Sequence, residues 1–265
     1  MIVEILCIGN ELLSGITLNT NAYWLCSKIT NVGGIVRRVT VVRDDLGEIS
    51  SAARESLARK PNILITTGGL GATYDDMTFE GIAAALGKKV VLDSRAIRML
   101  KKSYARHKLH YELTEPRIKM ATIPEGCTPI QNPVGSAPAI MKQVGDISIF
   151  CLPGVPSEMK AIFEEYILPR IKKNIGKFVA EEVHYNTRGL TEAMIAPVLI
   201  EIVKSHPKNM IYLKTHPLGH YRKKTPQLKI QMISRGDNKT EVKNRLAEIS
   251  KVMEKEILKR GGMIC

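Results

Sequence analysis

The spacing of apolar positions divides the chain into alternating strand and helix signals. Ile2–Ile8 is a short apolar run ended by Gly9, the mark of a buried strand. Thr17–Thr30 carries Trp24, Leu25 and Ile29 at helical spacing and stops at Gly33-Gly34. Ile35–Val42 is β-branched and reads as a strand, and Leu46–Arg59 reads as a helix ended by Pro61. Asn62–Thr67 is a second buried strand, followed at once by Gly68-Gly69-Leu70-Gly71. Thr78–Leu86 reads as a short helix capped by Thr78 and closed by Gly87, Val90–Leu92 as a minor strand, and Ser94–Leu109 as a helix with a basic side. Ala139–Val144 and Asp146–Leu152 flank Gly145 as a hairpin, and Pro156–Asn174 reads as a helix kinked at Pro169. Alternation of this kind predicts an α/β domain, a mostly parallel sheet covered on both faces.

After residue 173 the pattern changes. Ala180–Thr187, Met210–Thr215 and Gln227–Ser234 read as strands. Thr191–Ser205, distorted by Pro197, and Asn238–Arg260, striped by Val242, Leu246, Ile249, Met253 and Ile257, read as helices. The order β-α-β-β-α predicts a small separate α+β domain over 174–265 beside a first domain over 1–173.

Composition narrows the class. Of 265 residues, 44% are hydrophobic and 25% charged, which excludes wholesale disorder. The apolar runs are too short to cross a bilayer, so no membrane partner is expected. The start, MIVEILCIGNELL, has no basic n-region and does not read as a signal peptide. Five cysteines without a CxxC point to reduced thiols and a cytoplasmic protein. Net charge is +13 and uneven: residues 1–173 hold 22 Lys/Arg against 17 Asp/Glu, residues 174–265 hold 17 against 9. Such a surface draws polyanions and phosphorylated small molecules alike and chooses neither.

The densest chemical signal is Thr66–Thr78, TTGGLGATYDDMT, between a strand and a helix start. Three glycines in four positions let a ligand approach the backbone, and the amides of Gly68, Gly69, Leu70 and Gly71 can cradle an anion. Asp75 and Asp76 would repel a bare phosphate, and a divalent cation between them removes the conflict. A plain tight turn is the alternative. Gly9–Gly15, GNELLSG, follows another strand and offers Asn10 and Glu11, with Asn19 and Asn21 beyond; a solvated loop before a capped helix is its alternative. Arg43-Asp44-Asp45 also follows a strand and could equally cap the next helix. Asn132–Pro138, with Gly135 and Ser136, and Leu152–Met159, with Pro153 and Gly154, are further candidate ligand-facing loops.

In this combination and order, GNELLSG, TTGGLGATYDDMT, NPVGSAPAI and LPGVPSEM, the chain resembles the molybdopterin-binding-like domain of the CinA family over residues 1 to about 172. The resemblance implies the three-layer, MogA-like fold of molybdenum cofactor biosynthesis proteins, with a KH-like α+β domain after it. The further C-terminal domain that deamidates nicotinamide mononucleotide in bacterial CinA proteins has no room before Cys265, and that activity is not expected. Ala72 and Ala139 stand where the family commonly has Pro and Gly; Ala139 puts a Cβ beside the 132–137 loop.

The function the resemblance implies is metal-dependent cleavage of the diphosphate of ADP-ribose-like compounds. Glu11, Asp44 and Asp76 would be the catalytic groups, and Asp45, Asp75 and Asp76 the ligands of Mg2+ or a similar cation. Asn10, Asn21, Thr67, Gly68–Gly71, Asn132, Gly135, Ser136, Pro153 and Gly154 would hold the ligand. The rival is a protein that binds molybdopterin or a nucleotide without hydrolysing it. The partner in either case is a phosphorylated small molecule, and a homo-oligomer, dimer favoured, follows from the same resemblance. Nucleic acid is not expected as a partner: the basic tail, with Arg222-Lys223-Lys224, has neither a GxxG loop nor an aromatic platform. His216 and His220 lack neighbours in sequence to complete a zinc set.

Overall fold

The computed structural model describes residues 1–106, 112, 114–207, 210–218 and 225–265. The end of the basic helix (107–109), His220 and Arg222–Lys224 therefore lie outside the described residues. The chain divides into two compact units, Met1–Ile175 and Gly176–Cys265.

In the first unit, β1 (Ile2–Ile8) runs into a single helical turn, α1 (Asn10–Leu13), where the sequence pattern gives a loop. Then follow α2 (Thr20–Asn31), β2 (Ile35–Val42), α3 (Leu46–Ala58), β3 (Ile63–Thr67), α4 (Thr78–Ala85), β4 (Val90–Leu92), α5 (Ser94–Arg106) and α6 (Glu115–Lys119). The unit closes with β5 (Thr122–Pro124), β6 (Thr128–Ile130), β7 (Ala139–Val144), β8 (Ile147–Leu152), α7 (Pro156–Ile162), a π turn (Phe163–Ile167) and α8 (Leu168–Ile175). Six strands form one sheet in the order β2-β1-β3-β8-β7-β6. β2, β1, β3 and β8 are parallel, and β7 and β6 add antiparallel. Successive β1 residues face opposite layers: Leu6 and Ile8 pack with Ile49, Ile82 and Leu100, whereas Val3, Ile5 and Cys7 pack with Leu25, Ile29, Phe163 and Ile167. This unit is a three-layer α/β/α fold.

Local chemistry explains where elements begin. α2 starts at Thr20, three residues after the pattern predicts, because the Asn19 side chain accepts from the Ala22 N–H at 3.0 Å. Thr78 does not cap α4; it is the first helical residue, and its hydroxyl donates to the Gly68 carbonyl at 2.7 Å. The helix expected to kink at Pro169 contains a π turn just before it, and Pro169 follows as the second residue of α8.

The second unit consists of β9 (Val179–Arg188), α9 (Glu192–Lys204), β10 (Ile211–Pro217), β11 (Gln227–Gly236), α10 (Lys239–Lys259) and β12 (Met263–Ile264). Its antiparallel sheet has the order β10-β11-β9-β12. Ile195, Val198, Leu228, Ile230, Met232, Leu246, Ile249 and Met253 form its own core. No helix among the described residues is long and apolar enough to cross a membrane.

Candidate functional site

Four parallel strands end at the same edge of the sheet, so the segments after β1, β2, β3 and β8 gather there. The loop before antiparallel β7 reaches the same edge, since Ile140 pairs with Cys151 near the end of β8.

The bend after β3 is held from below. Gly68 N–H donates to the Leu152 carbonyl at 3.1 Å, and the Thr67 hydroxyl donates to the Pro153 carbonyl at 3.0 Å. Asn21, reaching across from α2, donates from Nδ2 to the Gly154 carbonyl at 2.7 Å and to Thr67 Oγ1 at 3.1 Å. Its Oδ1 is enclosed and has no hydrogen-bond partner among the described residues. Gly68 (φ +108°) and Gly69 (φ +63°) occupy the left-handed region. A Cβ at Gly68 would run into the Ile8 carbonyl, and one at Gly69 into Thr78 Oγ1. Among the described residues the amides of Gly69, Leu70 and Gly71 have no hydrogen-bond partner. These three orphan donors give the bend its affinity for anions. The Leu70 side chain itself is buried in the core, so this residue offers a ligand its backbone alone.

The acidic groups converge from three segments. Asn10 N–H donates to Asp44 Oδ2 at 2.7 Å, which ties the β1 and β2 ends together. Burial pushes the Asp44 carboxyl above its ordinary 3.8, the Asn10 amide opposes this, and the negative charges of Glu11, Asp75 and Asp76 add to it. Asp75 moves the other way: the Thr73 hydroxyl, 2.5 Å from Oδ1, holds it low, aided by its own backbone amide and the Lys119 ammonium. Asp76 Oδ2 takes both the Thr73 N–H (2.8 Å) and hydroxyl (2.5 Å) and so fixes the turn. Lys119 Nζ donates to the Thr73 carbonyl at 2.6 Å. Glu11 folds back over Gly9, where an added Cβ would lie 2.5 Å from Oε1.

Asp45, expected as a metal ligand, belongs instead to α3. Its Oδ1 accepts from the Glu48 N–H at 2.9 Å as the N-cap. No group of three His, Cys, Asp or Glu among the described residues forms a preassembled metal cage. The 132–138 loop also departs from expectation. Asn132 is fully buried and spent: Oδ1 accepts from Val134 N–H (3.1 Å) and Gly135 N–H (2.7 Å), and Nδ2 donates to the Ala137 carbonyl (3.0 Å) and Glu158 Oε2 (2.6 Å). It builds the loop and has nothing left for a ligand. Gly135 sits against Glu158, Ser136 is half-buried beside it, and Arg106 Nη2 donates to the Asn132 carbonyl at 3.0 Å.

Two groups escaped the sequence reading. Glu158 lies inside the LPGVPSEM motif, in the first turn of α7; burial raises its carboxyl although Asn132 donates to it. Glu4, at the far end of β1, is buried and gripped by Arg59, Ser56 and Arg37. No local pattern marks it, because its partners lie 33 to 55 residues away.

The family described as probable molybdopterin binding domain matches residues 4–173. A protein of Sulfurisphaera tokodaii is 42% identical over 262 residues, covering 98% of this chain and 97% of the relative. One of Metallosphaera sedula is 40% identical over 261 residues, covering 98% and 96%. The crystal structure of the protein CinA with unknown function from Thermoplasma acidophilum is 42% identical, with a TM-score of 0.58, and covers 66% of this chain and 99% of that one.

Proposed function

The chain belongs to the family of probable molybdopterin binding domains, with a first unit of the CinA kind, and from that premise we propose that the sheet edge binds a phosphorylated pterin- or nucleotide-like molecule and hydrolyses a diphosphate within it. The observation that carries the reading is that the bend Gly69 to Gly71, whose amides have no partner among the described residues, lies against Asp76, which with Glu11 and Asp75 surrounds Asp44 with negative charge. Amides alone would suit a simple phosphate; the carboxylates would repel it. Both make sense together if the ligand arrives with a hard cation. Mg2+ is usually held by one or two carboxylates plus substrate phosphates rather than by an all-protein cage, and no group of three such ligands stands among the described residues. Asp75 and the remaining oxygen of Asp76 are the residues that would hold it. When bound, such a cation supplies charge neutralisation on the diphosphate and a more acidic water.

The chain's own residues have separable roles in this reading. The amides orient one phosphate. Asp44, raised by burial and by its neighbours, is poised to take the proton of the attacking water; Asp75, held low, stays ionised. Water adds to one phosphorus, the bond to the bridging oxygen breaks, and an ADP-ribose-like substrate yields AMP and a sugar phosphate. The test is product analysis with ADP-ribose in Mg2+, Mn2+, Co2+ or chelator. Asp44→Asn keeps the acceptor for the Asn10 N–H and should lower turnover at least a hundredfold. Equal turnover in chelator, or in Asp44→Asn, removes the hydrolytic reading.

A second reading, binding without turnover, is favoured by one observation: Asn132 and one oxygen of Asp76 are consumed by their own loops. Retention of molybdopterin or a nucleotide with no product in metal-supplemented buffer would establish it.

A further inference from the structure

At the opposite end of the central sheet, where β3 and β8 begin, the first unit holds a cavity of about 650 Å3 that none of the chemistry above uses. Pockets for metabolite-sized molecules run from roughly 300 to 1,000 Å3, whereas a lone inorganic ion would leave most of this space empty. One wall is α8, which presents Arg170 and Lys173 three residues apart and therefore on one side of the helix. Neither forms an ion pair among the described residues. The Arg170 guanidinium lies 5.5 Å from the centroid of the Phe150 ring, which orients it without consuming its donors. Asp146, at the turn of the β7–β8 hairpin, is the one carboxylate lining the cavity.

The neutral polar groups are arranged to meet hydroxyls. Asn62 Oδ1 accepts from the Ile2 N–H at 2.7 Å, which leaves its Nδ2 as a donor. The Ser148 hydroxyl donates to Gln143 Oε1 at 2.7 Å, so its oxygen is left to accept. Two cations, an amide donor, a carboxylate and a hydroxyl acceptor thus line one hollow of metabolite size.

We propose that this cavity is a second binding site, separate from the glycine-dense bend, for a small phosphorylated polyol of the sugar-phosphate class. The phosphate meets Arg170 and Lys173, and the hydroxyls meet Asp146, Asn62 and Ser148. Charge-assisted bonds from the two cations give affinity, and the uncharged groups give preference for a sugar over a bare ion.

The experiment titrates glucose 6-phosphate, with glucose and inorganic phosphate as separate arms, into the full chain and follows the amide resonances of Asn62, Gln143 and Ser148 by NMR. Saturable shifts with glucose 6-phosphate are expected, weaker with inorganic phosphate and absent with glucose. Lys173→Glu, on an exposed helix face, should raise Kd about tenfold or more, as should Arg170→Gln. Asp146→Asn should weaken glucose 6-phosphate while leaving inorganic phosphate bound as tightly or more tightly. If these amides stay still at millimolar ligand, or shift identically in Lys173→Glu and Arg170→Gln, the site is not there. Equal midpoints for inorganic phosphate and glucose 6-phosphate would overturn its sugar component. Loss of shifts at Gly69–Gly71 in the same titration bears on the other end of the sheet and is scored apart.

Discussion

Single residues carry two opposite electrostatic solutions in this molecule. Glu4 is 2% exposed, and burial alone would raise its carboxyl from the ordinary 4.5. Hydrogen bonds from Arg59, Ser56 and Arg37 overcome that and bring it to about 2. A carboxyl lowered on folding stabilises the native state above its unfolded pKa and loses that contribution as pH falls through the folded value. A shift of this size corresponds to about 3 kcal/mol. Glu4→Gln should therefore lower unfolding free energy by about that much at pH 7, and the difference from wild type should shrink steadily as pH drops from 4.5 towards 2. Denaturant titrations across that range check it; a constant difference would mean that shape, not charge, matters at this position. Asp44 is the reverse case, raised by burial and by three like charges. As a base it works when deprotonated, so hydrolysis should rise with pH along an acid limb that Asp44→Asn removes. An acid limb retained in the kcat/KM profile of Asp44→Asn would assign the base elsewhere.

Elements show which signals lay in the sequence. Strands β1, β2 and β4 and the β7–β8 hairpin follow directly from apolar runs and turn glycines, because each is a local pattern. Short β5 and β6 did not declare themselves. β6 contains Pro129, which is tolerated since β6 is an edge strand, a fact that only the sheet order reveals. The candidate site divides the same way. The glycine-dense bend was legible because positive φ demands glycine, whereas the duties of Asp45 and Asn132 depend on which side chain turns inward, and composition is silent on that. The Asp45 assignment can be separated experimentally. As the N-cap of α3, Asp45→Ala should lower stability by about 1 kcal/mol, and Asp45→Ser should restore most of it. Neither should alter the metal requirement of any hydrolysis. A changed metal requirement in both variants, with stability intact, would return Asp45 to the site.

At the scale of the whole molecule, every group in the candidate site belongs to one of the two units. The orphan amides, the four carboxylates and Asn21 all lie within Met1–Ile175, and that unit encloses its own two hydrophobic layers. The second unit has a separate core beneath its antiparallel sheet and carries the larger share of excess positive charge. Cooperative folding follows the core rather than the chain, so each unit should fold without the other. A chain ended after Ile175 should unfold in one transition and keep ligand affinity at the bend within about twofold of the full chain at high salt, where long-range attraction is screened. At low salt the full chain should bind a phosphorylated ligand faster, because its additional positive charge raises the encounter rate and not the contacts made after arrival. Stopped-flow association of a fluorescent nucleotide with both forms, across a salt series, measures this directly. Convergence of the two rates as salt rises would confine the second unit's contribution to steering. A gap that persists at high salt, or affinity lost on truncation, would show that residues beyond Ile175 touch the ligand.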